Sequence, residues 1–259
     1  MNVTNEEAGH AKKPTMGWWP YVLPIVAFLV LVEVTQRFAG GDSIAMLALR
    51  VVVPLVLLAF FWVRGEYPEL RFAIDKMTPV DALLGIVLAA MWMAPYVMFP
   101  SLRPESGDGE FDPMMAGVAL WPVVFGVRMI GYAMVTPWME ELFMRSFVMR
   151  YAEVLRNEPS TGDPSDSTDD FRKIPLAHFT WVSFLGVVGV FLATHQMWEW
   201  IVMLPWAVAT NLWFYYRKSL FALIVVHAAT NASILIAAAT LSGRFGDGAG
   251  GPLSLWFLV

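Results

Sequence analysis

Residues 114–150 read MMAGVALWPVVFGVRMIGYAMVTPWMEELFMRSFVMR. The run is apolar for longer than the roughly 20 residues needed to cross a bilayer. Yet it holds Glu140, Glu141 and Arg145. A charged side chain at the centre of a membrane helix costs about 3 kcal/mol on insertion scales, so such residues mark sites or pathways rather than lipid-facing surface. This stretch therefore decides two things: the chain is built of membrane helices, and its chemistry is to be sought here.

The composition around it agrees. The chain has 259 residues, 58% hydrophobic and 15% charged, with a mean hydropathy of +0.57. Soluble domains carry about 25% charged residues. Membrane lipid is thus the first partner. The net charge of −5 offers nothing to nucleic acid, and the lack of cysteine excludes disulfides, thiolate metal sites and a cysteine nucleophile. Twelve tryptophans suit interfacial aromatic belts.

Further apolar runs lie near 18–34, 43–63, 80–99, 179–196, 200–216 and 220–241. The run 114–150 is too long for one straight span and contains Thr136-Pro137, where a kink or break is expected. The expectation is an all-α, polytopic bundle of seven or eight membrane helices forming one domain over 1–259. Within it, 1–17 would be a cytoplasmic N-terminus, 18–113 N-terminal helices, 114–241 the functional core and 242–259 a tail. The first run is followed by further spans and by no small-residue cleavage site, so it reads as a retained helix.

Basic residues orient the bundle. With the N-terminus cytoplasmic, Lys12, Lys13, Arg64, Arg71, Lys76, Arg150, Arg156, Arg172, Lys173, Arg217 and Lys218 fall inside. Only Arg37, Arg103 and Arg244 fall outside, and positive charge belongs inside. The outer segment carries Glu105, Asp108, Glu110 and Asp112. Residues 157–170, rich in Ser, Thr, Pro, Asp and Gly, read as a flexible loop, and 242–251 as a Gly-rich linker before a short apolar tail.

On a helix Glu140 and Glu141 point about 100° apart. Arg145 lies one turn beyond Glu141, in the favourable acidic-then-basic order. Glu141 is then the natural partner of Arg145, and Glu140 is freer to act as a base. A solvated Glu-Glu-Arg helix end is the plain alternative. His227 and Asn231 also share a face, and both types donate hydrogen bonds suited to a developing oxyanion. They equally suit interhelical pairing. His195 follows Phe191 by one turn, beside Gln196 and Trp198; an interfacial histidine is its plain reading. Arg50 and Arg128 read as structurally paired, with Glu33 the partner expected for Arg50. No GxxxG helix contact is evident.

Glu140-Glu141-x-x-x-Arg145, Phe191-x-x-x-His195 and His227-x-x-x-Asn231, in that order on successive helices, resemble the motifs of one family. It is the CPBP family, which groups type II CAAX prenyl endopeptidases with bacteriocin-processing and immunity proteins. The resemblance covers roughly 137–237 and extends to the basic turn Arg217-Lys218-Ser219-Leu220. The N-terminal third resembles nothing specific, and loop 157–170 is longer than the turn usual there. The resemblance implies an intramembrane endopeptidase acting on a peptide or protein substrate. Glu140 would be the general base, His195 would help hold the attacking water, and His227 with Asn231 would form the oxyanion hole. Glu141 and Arg145 would be a structural ion pair. Family members are described both as metalloproteases and as metal-free glutamate proteases. No cofactor or metal is expected here, with zinc the alternative, because no His-Glu-x-x-His helix supplies closely spaced ligands. The expected location is a bacterial inner membrane, where the substrate would be prenylated, leader-type or otherwise membrane-associated. A membrane scaffold or bacteriocin-immunity protein is the non-enzyme rival, and a proton or ion transporter a third. The sequence does not give the oligomeric state.

One length is awkward. His195 is 22 residues beyond Lys173, or about 33 Å of helix at 1.5 Å per residue. That would carry it past the depth of Glu140 unless part of the segment stands outside the bundle.

Overall fold

The computed structural model describes residues 16–38, 44–104, 112–156 and 170–259. His10, Lys12, Lys13, Glu105, Asp108, Glu110 and all but Asp170 of the polar loop lie outside the described residues. Among them the architecture is all-helical, with seven long rods: α1 (Trp19–Phe38), α2 (Ile44–Val63), α3 (Thr78–Met98), α4 (121–156), α5 (Trp181–Thr194), α6 (Trp200–Arg217) and α7 (Leu220–Leu241). By length and composition α2, α3 and α7 are able to cross a membrane. Their outward faces are apolar: Val52, Val56 and Phe60 of α2 and Leu83, Ile86 and Val87 of α3 are all exposed. The i, i+4 stripe on α2 is the reverse of a soluble helix, whose open face is polar.

α4 does not break at Thr136-Pro137. Its backbone runs on as Trp121–Ile130, a π-helical turn Gly131–Val135, Thr136–Glu141, a second π-helical turn Leu142–Val148 and Met149–Arg156. Proline lacks an N–H and its ring clashes with the carbonyl four residues back. The wide turn at Gly131–Val135 absorbs both defects, and Pro137 then stands in the first turn of the next α-helical piece, where proline is tolerated. The long run is therefore one interrupted rod, and its two π turns bracket Glu140 and Glu141.

α7 is the central rod and packs along α3. The contact is closest at Gly85: a Cβ there would sit 2.3 Å from the Val226 carbonyl oxygen and 2.6 Å from Ala229 Cβ. Thr230 Oγ1 donates to the Gly85 carbonyl at 3.1 Å. A small-residue approach of this kind lets apolar helices gain close packing without a hydrophobic driving force. It needs one glycine rather than a GxxxG pair, so the motif search missed it.

The ends of α2, α4 and α6 and the start of α3 are tied by charge. Arg217 donates to Asp81 and Asp75, both at 3.0 Å, and Trp213 Nε1 donates to the buried Asp81 at 2.8 Å. Arg150 pairs with Glu69 at 2.9 Å and Arg172 with Glu66 at 3.3 Å. The turn between α6 and α7 is sharp: Lys218 is left-handed (φ 50°) and Ser219 caps α7 through Ala222 N–H. At the other end of α1, Glu33 pairs with Arg37, one turn on in its own helix.

α5 begins only at Trp181, where Thr180 and Ser183 form a capping box and the Thr180 hydroxyl bonds Glu153 of α4. Residues 174–180 are not helical. His195 is thus about 21 Å along a 14-residue helix, which removes the length discrepancy. The segment after α7 is not a loose tail: Leu253, Leu255, Trp256, Phe257 and Leu258 are buried against the bundle.

Candidate active site

Glu140 and Glu141 leave α4 between its two π turns and diverge as neighbours on a helix must. Glu141 points into the core. Its side chain and that of Arg145 are both 0% exposed, with Arg145 Nη1 donating to Glu141 Oε1 at 3.0 Å. Arg145 Nη2 donates to Thr210 Oγ1 of α6 at 2.7 Å. Its guanidinium lies 4.3 Å from the ring centroid of Phe191 and 5.6 Å from that of Trp206. The charge is therefore held by one carboxylate and two aromatic faces, which replace the water it lost.

Glu141 Oε1 also takes His227 Nδ1, at 2.8 Å. An oxygen already accepting from a guanidinium accepts from the imidazole too, so Nδ1 carries the hydrogen by the logic of the network. The other ring nitrogen faces Glu140: His227 Nε2 is 3.8 Å from Glu140 Oε2. The imidazole thus stands between the two glutamates, and Trp206 packs on it edge-on with centroids 4.8 Å apart. Sequence spacing gave Glu141 one partner; the fold gives it two.

His195 follows the last turn of α5 in an extended conformation (φ −116°, ψ 159°). Its Nδ1 is held by the Phe191 carbonyl at 2.9 Å. Phe191 therefore serves twice, its ring on Arg145 and its carbonyl on His195. Asn231 Nδ2 donates to the Tyr132 carbonyl at 2.8 Å, inside the first π turn of α4. One amide hydrogen of Asn231 remains for another acceptor.

These side chains share one cavity of about 630 Å³. It is lined by Glu140, His195, His227 and Asn231 together with Tyr132, Thr136, Trp206 and Thr230. Glu141 and Arg145 stand behind it. Glu199, in the turn between α5 and α6, also lines it and accepts from Gln196 N–H at 2.8 Å. Burial pushes the Glu199 carboxyl above its ordinary range, against the opposing pull of His195 and the Gln196 N–H. Among the described residues no three His, Asp or Glu side chains are grouped as a metal site.

Residues 119–233 match the family model described as Type II CAAX prenyl endopeptidase Rce1-like. Over this stretch the chain is similar to the Rce1-like CAAX protease domain. No curated protein and no solved structure matches it. The matched stretch contains all seven motif residues, from Glu140 to Asn231, and ends before the last two turns of α7. The family is one of peptide hydrolases, which indicates a peptide or protein substrate, and with the apolar helices it makes this an integral membrane protein.

Sequence reasoning missed Glu199, Thr210 and Tyr132. The first two had a signal: Gln196 and Glu199 fall between two apolar runs, and Thr210-Asn211 interrupts the apolar α6. Tyr132 contributes a backbone carbonyl, which no side-chain pattern announces.

Proposed function

We propose that the protein is an intramembrane glutamate endopeptidase. The observation that carries this reading is the placement of Glu140, His195, His227 and Asn231 on one cavity, with the His227 imidazole between the two glutamates. Glu140 and His195 hold a water. Glu140 takes its proton as the oxygen attacks the scissile carbonyl carbon and the C–O bond forms. The oxyanion accepts from Asn231 Nδ2 and from His227 Nε2. With Nδ1 given to Glu141, His227 serves the oxyanion through Nε2–H when both ring nitrogens carry hydrogen. Glu140 then passes its proton to the leaving amine as the C–N bond breaks. Glu141 and Arg145 hold this framework rather than touch substrate.

The basic loops at one end of the bundle support a cytoplasmic N-terminus, with all seven rods as membrane helices, and this reading places the protein in a bacterial inner membrane. A membrane-associated peptide, prenylated or leader-type, fits a cavity whose polar floor meets Trp92, Trp198, Met203 and Ile234.

One observation favours a metal-dependent variant. Both histidines have Nδ1 tied to an oxygen, as metal-bound histidines do. The test is cleavage of an internally quenched peptide library by the purified protein in proteoliposomes, with and without phenanthroline. Turnover that survives the chelator and vanishes in Glu140→Ala supports the reading. Turnover lost to chelator and restored by zinc transfers it to the metal variant, and no cleavage of any peptide sinks it.

A further inference from the structure

We propose that residues 252–259 form a wall of the substrate cavity, and that Phe257 sets the size of the group admitted beside Glu140 and His227. The kinetic half of this rests on the peptidase reading; the structural half does not.

The segment is a folded part of the site. After α7 the chain doubles back through a turn closed by Gly243 N–H to Leu253 O and Leu253 N–H to Phe245 O, both 2.8 Å. Phe257, Leu258 and Val259 then line the same cavity as the motif residues. Phe257 stands edge-on to Tyr96 of α3, centroids 6.0 Å apart, and 5.9 Å from Trp198 of the α5–α6 turn. Tyr96 donates its hydroxyl to the Trp198 carbonyl at 3.0 Å, so the three rings are one tied unit beside His195. On the opposite side Arg128 Nη2 donates to Val259 O at 2.9 Å, and the Arg128 guanidinium lies over the Trp256 ring. Tyr132, whose carbonyl holds Asn231, directs its hydroxyl to Leu258 O at 3.4 Å.

Two arguments make this a wall rather than a stopper. The cavity keeps about 630 Å³ open with the segment in place. The segment is also anchored on α3, α4 and the α5–α6 turn at once, and its apolar side chains are buried. It lies outside the family match at 119–233. The wall therefore supplies selectivity from residues other than the motif residues.

The chain has no cysteine, so Thr136→Cys in the cavity lining gives a single thiol. In detergent-purified Thr136→Cys, N-ethylmaleimide should react far faster than a bulky fluorescein maleimide. Adding Phe257→Ala should raise the bulky reagent's rate severalfold and leave the small one nearly unchanged. Phe257→Trp should slow the bulky reagent further, so the pair decides the matter even where one variant folds poorly. In proteoliposomes, Phe257→Ala should shift the kcat/KM ratio between quenched peptides with a large and a small apolar residue. The shift is toward the large one and of the order of 10- to 200-fold, the range that a methylene in an apolar pocket controls. Labelling rates unchanged in both variants overturn the proposal. Equal acceleration of every peptide on deleting residues 252–259 overturns it in favour of a stopper. A labelling shift with no cleavage in any variant leaves the wall standing and removes the peptidase reading instead.

Discussion

Glu141→Gln separates the roles of the two adjacent glutamates. Arg145 is fully buried, and its only carboxylate contact within 4 Å among the described residues is Glu141, at 3.0 Å. Glutamine keeps an oxygen that accepts from Arg145 Nη1 and His227 Nδ1, but it removes the charge. Breaking a buried pair from one side costs about 3–5 kcal/mol, because the remaining charge is left without compensation. Thr210 and the Phe191 and Trp206 rings stay in place, which puts the expected loss near the lower end. At about 2–4 °C per kcal/mol for a chain of this size, the melting temperature should fall by roughly 6–12 °C. Arg145→Lys keeps the charge opposite Glu141 and should cost less. Glu140→Gln is the control: its side chain is 17% exposed, faces the cavity and is 3.8 Å from His227 Nε2, so its loss should cost less stability than that of Glu141 while abolishing turnover. The assay is thermal unfolding in detergent, paired with cleavage of a quenched peptide. A Glu141→Gln protein that melts within about 2 °C of the parent and is inactive would reverse the two assignments.

Three further outcomes are expected. Asn231→Ala should lower kcat about 100- to 1,000-fold, as the loss of one oxyanion donor does; a loss confined to stability would make Asn231 a packing residue. Gly85→Ala should destabilise by about 1–3 kcal/mol through overpacking, because its methyl group would meet the Val226 carbonyl at 2.3 Å; a melting temperature equal to the parent's would show that α3 and α7 part freely. Asp247 is held below its usual carboxylate range by the backbone N–H groups of Gly251 and Ala249. A depressed folded pKa gives stability that is present above the unfolded value of about 3.9 and lost as pH falls through the folded one. Parent and Asp247→Asn should therefore differ in melting temperature at neutral pH and converge in acid, and a difference independent of pH would count against this account of the turn.

The sequence by itself determined the helical membrane class, and it singled out polar residues that the fold brings to one cavity. Each is a local signal: an apolar run is long enough to span a bilayer or it is not, and a Glu-Glu-x-x-x-Arg inside one is costly wherever the helix goes. The start of α5 was also written locally, in Thr180 and Ser183, and the apolar run came within two residues of it; the awkward length came from counting helix from Lys173. The continuity of α4 through Pro137 was not legible, because the π turn that relieves the proline carries no side-chain signature.

The tertiary structure alone decided how the pieces meet. His227 and Glu141 are 86 residues apart, and their 2.8 Å contact depends on the rotation of α7 against α4. That rotation is set by the close approach of α7 to α3 at Gly85, a property of two surfaces rather than of either sequence window. The same holds for Phe191 on Arg145 and for Phe257 between Tyr96 and Trp198. Hydropathy marked residues 252–259 as apolar and left open whether lipid or protein covers them. Packing decides that, because in a membrane apolar side chains are as well solvated by lipid as by one another, and only shape and hydrogen bonding choose between them.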